Sequence, residues 1–371
     1  MRGEQAGNCT VIDYSSGLLS SFYRRCIMPV SLRDRLLASG ESVPEQPPIP
    51  VGPVWEGPSG TGPNGGVTQS LLARFLRCRE RFRIYTIEGL QPRPEWSHRL
   101  WFGTAWHLCE QCLAAAPLTR SPGWEQALLD CAREEAKRWP VQGQQVEHWY
   151  NVIRVTFPLY VKFWSEHPDA RERTPLMQEA IFDVPYSLPS GRTVRLRGRW
   201  DAVNVLGRGG DAGVYLFESK TKGEVIEHVI KRQLAFDLQT MFYMIALEIH
   251  LEAGELSIVT DGISARLRGV CYNVIRRPLS GGKGSIVRHK PTKSNPEGEG
   301  KEEYYDRLQT IIAETSQEYF FRWKSEVLPG DLRKFQRQFL NQILEQLCDW
   351  WQWVTTGDAF RERRARDGQR N

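Results

Sequence analysis

Residues 177–221 limit the possible folds more than any other stretch of this chain. "MQEAIFDVPYSL", "VRLRGRWDAVNVL" and "GVYLFESKT" follow one another with apolar residues at alternate positions, and "GRGGDAG" supplies a loop between the last two. Alternation with a period of two is the signature of strands, so three consecutive strands are predicted. On either side the period is helical. "TQSLLARFLRCRERFRIY", with Thr68 or Ser70 as a cap, precedes helical patterns around 102–116, 123–138 and 145–166. A long helix in "VIKRQLAFDLQTMFYMIALEIHLEAG", stopped by Gly254, follows the strands and leads to one more, "RLRGVCYNVIRRP". Helices near 301–317 and 330–356 complete the pattern. Three strands, a helix and a strand behind a helical N-terminal part predict an α/β fold with a central mixed sheet flanked by helices.

The 371 residues are 40% hydrophobic and 11% aromatic, enough for a large core. The segment from Pro44 to Gly66, "PEQPPIPVGPVWEGPSGTGPNGG", is dominated by Pro and Gly and has no repeating apolar face. It reads as a flexible linker, which makes residues 1–66 an extension, 67–358 the folded domain and 359–371 a basic tail. The Gly-, Lys- and Pro-rich stretch 279–301 reads as a mobile loop. No apolar run reaches the ~20 residues of a bilayer span. The first residues lack a secretory apolar core, and eight scattered cysteines suit a reducing compartment, so the expectation is a cytoplasmic protein with no membrane contact. A formal charge of +5, from 49 basic and 44 acidic residues, is compatible with a polyanionic partner without requiring one.

The chemistry is concentrated on the strands. In "VYLFESKTKG", Glu218 and Lys220 are two residues apart and so share a strand face, where burial of either charge is costly unless it is paired, wetted or bound to metal. On spacing alone, an ordinary same-face salt bridge on an edge strand is the better account of the pair than half of a metal site. Asp201, in "RGRWDAV", lies on the preceding strand, and a short connection brings it within ~5 Å of Glu218. Two carboxylates that close repel unless a divalent cation lies between them, and hard oxygen ligands suit magnesium or manganese. Lys220 would then stabilise charge on a phosphate or hold a water. Glu179, on the strand before, is a further candidate acid or a solvated strand end. His107, on an apolar helix face, is a ligand candidate or a core histidine. Gln239 and Tyr243 stand four apart on one helix face. Cys109 and Cys112 form a C-x-x-C for which core packing is the better account, and the chain has no phosphate loop of an ATP motor.

Taken in order, these segments resemble the PD-(D/E)XK nuclease superfamily, specifically its RecB-like and AddB-like exonuclease branch with phage and bacterial members. "FGTAWH" is similar to the branch's Gly-to-His motif, "GRWDAV" to its Gly-x-x-Asp strand, "ESK" to its Glu-x-Lys and "DLQTMFYMIAL" to its Gln-x-x-x-Tyr helix, over roughly residues 67–250. The resemblance implies a restriction-endonuclease-like core and metal-dependent hydrolysis of DNA, as an exonuclease or single-strand nuclease in recombination, repair or phage DNA processing. It assigns metal ligation to His107, Asp201, Glu218 and the main-chain carbonyl of Ser219, and catalytic roles to Asp201, Glu218, Lys220, Gln239 and Tyr243. The cofactor implied is Mg2+ or Mn2+. Relatives that carry an iron–sulfur cluster use one cysteine in the opening helix and three near the C terminus; here Cys78 is followed only by Cys348 in the corresponding C-terminal stretch, so that cluster is not expected. DNA, single-stranded or at duplex ends, is the expected partner, contacted by Arg197, Arg199, Lys222, Lys231 and Arg232, with a helicase or recombination protein as a further partner. The alternative is a nucleic-acid-binding or assembly subunit that keeps this fold without turnover.

Overall fold

A computed structural model of the chain describes residues 54–90, 94–115, 123–167, 173–208, 212–234, 237–254, 259–260, 263–264, 266–278 and 286–356. The short strand β1 (Val67–Thr68) runs directly into α1 (Gln69–Arg77). Thr68 caps that helix, its hydroxyl accepting from the Leu71 N–H at 3.2 Å. Cys78 adopts an extended backbone and separates α1 from α2 (Arg79–Thr86), so the expected opening helix is two. Thr68→Ala removes this side-chain cap of α1 and is expected to cost about 1 kcal/mol, read as a shift in the chemical denaturation midpoint.

Three helices follow, α3 (His98–Ala115), α4 (Trp124–Arg138) and α5 (Gly143–Ser165), close to the ranges expected from periodicity. Next come β2 (Arg173–Ser187), β3 (Thr193–Leu206) and β4 (Gly213–Lys222). The single long helix expected after β4 is instead α6 (Glu227–Leu234) and α7 (Leu238–Glu252), the second started by Asp237, whose carboxylate accepts from the Thr240 N–H. After a two-strand ribbon, β5 (Val259–Thr260) with β6 (Ile263–Ser264), come β7 (Arg266–Arg276), α8 (Lys301–Glu314) and β8 (Phe320–Glu326). The chain then folds into α9 (Pro329–Phe335) and α10 (Asn341–Thr356), joined by a π-helical turn over Gln336–Leu340.

The central sheet is mixed and six-stranded. β3 pairs along its length with antiparallel β2 on one edge. Its other edge is shared, with parallel β1 at Leu196–Arg197 and antiparallel β4 at Ala202–Leu206. Parallel β7 and antiparallel β8 extend the sheet beyond β4. One core cluster joins the sheet to α1, α7 and α10 through residues such as Trp200, Phe242 and Leu344. A second is built mainly by α3, α4, α5 and α8 around Trp106, Phe157 and Tyr304, and holds Cys109. This is the expected α/β architecture with helices on the sheet's flanks. Strand β8 was not anticipated: it is short, aromatic-rich in "FFRWKSE" and lies within a helical neighbourhood.

The segment expected to be a flexible linker departs from that reading over residues 54–66. Trp55 is 4% exposed, its ring meets Phe82 and Trp351 edge-on at centroid distances of 5.6 and 5.0 Å, and its indole N–H donates to the Gly66 carbonyl at 2.8 Å. Arg197 donates to the carbonyls of Pro63 and Gly65 at 2.8 and 2.7 Å, and Arg195 donates to that of Gly60. Gly66 has φ +82, and a Cβ there would lie 2.6 Å from the Arg197 side chain. The glycines and prolines of this stretch encode turns around a buried tryptophan.

Candidate metal centre

Strands β3 and β4 are paired as far as Ala202 and Phe217, and the next residues on each, Asp201 and Glu218, stand where the ladder ends. The Ser219 N–H donates to Asp201 Oδ2 at 2.9 Å, so the carboxylate takes a bond the ladder would otherwise use. On the far edge of β3, Glu179 falls opposite Asp201, between the pairs Gln178–Ala202 and Ala180–Trp200. Glu179 has φ +48, a left-handed conformation uncommon for a side-chain-bearing residue, and is 5% exposed. Such a backbone costs on the order of 1 kcal/mol or more and persists where the surroundings hold it. Beside it the buried face of β3 changes parity: Trp200 lies in the core on one side of Asp201, Val203 and Val205 on the other.

Helix α3 brings His107 to this point. Its Nδ1 lies 3.4 Å from Glu179 Oε1 and 3.8 Å from Asp201 Oδ1. His107, Glu179 and Asp201 each offer one ligand atom within 4.8 Å of the others. Arg199 donates to Glu179 Oε2 at 2.9 Å, while the buried Glu179 Oε1 has no hydrogen-bond partner among the described residues.

On the other side of the fork lies a second set. Lys220 Nζ donates to Glu218 Oε1 at 2.5 Å and to Gln239 Oε1 at 2.9 Å, and Gln239 Nε2 donates to Glu218 Oε1 at 2.7 Å. Glu218 is 1% exposed, and among the described residues its Oε2 has no hydrogen-bond partner. Tyr243, one turn along α7 from Gln239, packs edge-on against Phe182 at 5.4 Å. Gly198 permits this approach, since a Cβ there would lie 2.5 Å from the Phe182 ring and 3.1 Å from that of Tyr243. The same-face pairing of Glu218 and Lys220 therefore exists, but inside a buried network and not on a solvated edge.

Burial, with repulsion from Glu218 and Glu179, raises the Asp201 carboxyl to about 7 against the pull of His107 and the Ser219 N–H. Glu218 is raised by burial despite Lys220. Burial lowers His107, but the Glu179 carboxylate 3.4 Å away and the charges of Asp201 and Glu110 outweigh it and bring the imidazole to about 9. Lys220, also opposed by burial, is raised by Glu218 and stays an ammonium. Both His107 and Asp201 hold protons that the unfolded chain releases at lower pH. Stability owed to Asp201 is lost as pH rises from about 4 to about 7, and that owed to His107 as pH rises from 6.5 through about 9. The metal-free protein is therefore expected to melt at progressively lower temperature across that window. A ligated cation competes with these protons, so the Tm gain from Mn2+ should be larger at pH 8 than at pH 6; a gain independent of pH would contradict this ligand set.

The donor set fits a divalent cation. An imidazole and clustered carboxylates converge, and two buried carboxylate oxygens, Glu179 Oε1 and Glu218 Oε2, have no hydrogen-bond partner among the described residues, an expensive state that a bound cation would relieve. Of the expected ligands, His107 and Asp201 fall in the close group and Glu218 stands beside it; Glu179, expected only as an additional acid, belongs to the group itself. Of the expected DNA contacts, Arg197 holds the 54–66 segment, Arg199 binds Glu179 and Lys231 pairs with Glu227 at 2.5 Å. Lys222 ends β4, and Arg232 is exposed on α6. Cys109, Cys271 and Cys348 are buried, Cys112 and Cys131 half-buried and Cys78 exposed. Glu110, Tyr160 and Asn273, which lie behind Ser219, were not singled out from the sequence, although Glu110 is one turn from His107 on the same helix face.

Among the described residues no helix is long and apolar enough to cross a membrane. No curated protein matches the chain significantly. Among protein-family models, that of the PD-(D/E)XK nuclease superfamily matches residues 67–350, which spans β1 to α10 and every residue of the site above. With that match over well more than half its length, the chain belongs to the PD-(D/E)XK nuclease superfamily.

Proposed function

We propose that this protein is a Mg2+- or Mn2+-dependent deoxyribonuclease of the RecB-like and AddB-like branch, acting on single strands or duplex ends in recombination, repair or phage DNA processing. The observation that carries the reading is the convergence of His107, Glu179 and Asp201 beside a buried Glu218–Lys220–Gln239 network at the fork of β3 and β4. His107, Glu179, Asp201, Glu218 and the Ser219 carbonyl would hold the cation, which when bound supplies Lewis-acid activation of water and of the scissile phosphate.

The side chains do the rest. Lys220 is protonated and fixed by two acceptors, so it donates to a phosphate oxygen or to the attacking water and does not serve as the base. Gln239 fixes Glu218 and Lys220 relative to each other, and burial keeps the Tyr243 phenol neutral, a donor and not an anion. Lys222 and Arg232, with basic residues of the 286–301 stretch, supply sequence-independent contacts to the DNA backbone. The test is cleavage of end-labelled single- and double-stranded DNA with Mg2+, Mn2+ or EDTA. Metal-dependent shortening of the label is expected; wild-type protein that leaves both substrates intact in either metal would end this reading.

A further inference from the structure

Behind the site lies a buried polar network in a region otherwise suited to apolar packing. Asn273 is 1% exposed and pairs with Ser219 in the β4–β7 ladder. Its Nδ2 lies 3.1 Å from Ser219 Oγ, 2.8 Å from the Tyr160 hydroxyl and 3.0 Å from Glu110 Oε1, three acceptors that share its two hydrogens. Tyr160, from α5, donates its own hydroxyl to Glu110 Oε1 at 2.7 Å. The amide's orientation is fixed, because its Oδ1 faces Arg322, which can only donate, and its Nδ2 faces a carboxylate. Among the described residues Glu110 is bonded by these neutral donors and by no cation. A buried network of this kind is less favourable than an apolar core of the same shape unless its geometry is used.

Its geometry touches each part of the site. Glu110 lies one turn beyond His107 on α3, and Ser219 stands between Glu218 and Lys220 and bonds Asp201 through its N–H. We propose that Glu110, Tyr160 and Asn273 are positioning residues that lock the Ser219 peptide to helix α3, so that its N–H stays on Asp201 and its carbonyl and the His107 ring keep a fixed separation. This rests on the metal-site reading above.

The test uses the full chain, with Mn2+ titrated by calorimetry and DNA cleavage measured at steady state. Tyr160→Phe keeps the ring and removes one donor and one acceptor; Asn273→Asp keeps the volume and sets a second carboxylate against Glu110. Loss of an outer partner of a metal ligand typically costs 10–100-fold, so Tyr160→Phe is expected to weaken Mn2+ binding and lower kcat by ~10-fold with KM for DNA unchanged, and Asn273→Asp to lose more. Glu110→Gln keeps the acceptor oxygen and should bind Mn2+ and cleave DNA better than Tyr160→Phe does. Tyr160→Phe protein that melts normally and binds Mn2+ like wild type would overturn the proposal, as would a Glu110→Gln protein as impaired as Tyr160→Phe. Should Asn273→Asp fail to fold, Tyr160→Phe decides. Absence of cleavage by the wild type would reject the nuclease reading instead, and the Mn2+ titration would still report on the network.

Discussion

Asp201→Ala and Lys220→Ala are expected to lower DNA cleavage by about three orders of magnitude each while leaving the fold intact. For Asp201 the loss is of a ligand set in the close group with His107 and Glu179. For Lys220 it is of a positive charge held beside the site by Glu218 and Gln239. Stability separates these from structural damage. Asp201 is pushed up to about 7 by burial and by its acidic neighbours, so neutralising it removes a repulsion from the metal-free protein. Asp201→Asn should therefore raise the Tm at pH 8 without metal and abolish the further rise on adding Mn2+. Lys220→Ala should do the opposite in the metal-free state, since it strips Glu218 of its only cation in hydrogen-bonding contact among the described residues and leaves a 1% exposed carboxylate unbalanced. Alanine proteins that cut as well as the wild type would remove both residues from the chemistry.

Trp55→Ala is expected to destabilise the protein by about 3–5 kcal/mol, the cost of truncating a large buried aromatic. The indole fills space between Phe82 and Trp351 and its N–H satisfies the Gly66 carbonyl, so the variant loses two aromatic contacts and leaves a buried acceptor without its donor. A urea midpoint that falls with little change in slope is the expected readout. A midpoint unchanged from wild type would return residues 54–66 to the status of a linker.

The features legible in the sequence were those carried by local repetition. Alternation revealed β2, β3 and β4, and helical periodicity located α3, α4 and α5 nearly to their ends. Asp201, Glu218 and Lys220 were legible because they interrupt apolar strands, where a charge demands a reason. What escaped depends on tertiary partners or on backbone angles. Nothing in "MQEAIF" announces the left-handed turn at Glu179 that carries its carboxylate to His107. The Glu110–Asn273 bond joins residues 163 positions apart. Trp55 is in plain view, but Pro and Gly signal mobility and turns alike, and here they serve turns. Asp237 could have been read as a start signal, which would have split the long helix where α7 begins.

The hairpin between β3 and β4 has its reactive residues at one end and its connection at the other. Five residue pairs, Ala202–Phe217 to Leu206–Gly213, lie between them, a span of roughly 15 Å at ~3.4 Å per residue. The connection after Leu206 is thus a place where foreign sequence, a fluorescent reporter or a targeting module, can be spliced in without disturbing the ligand cluster. The same distance lets evolution lengthen that turn independently of the chemistry.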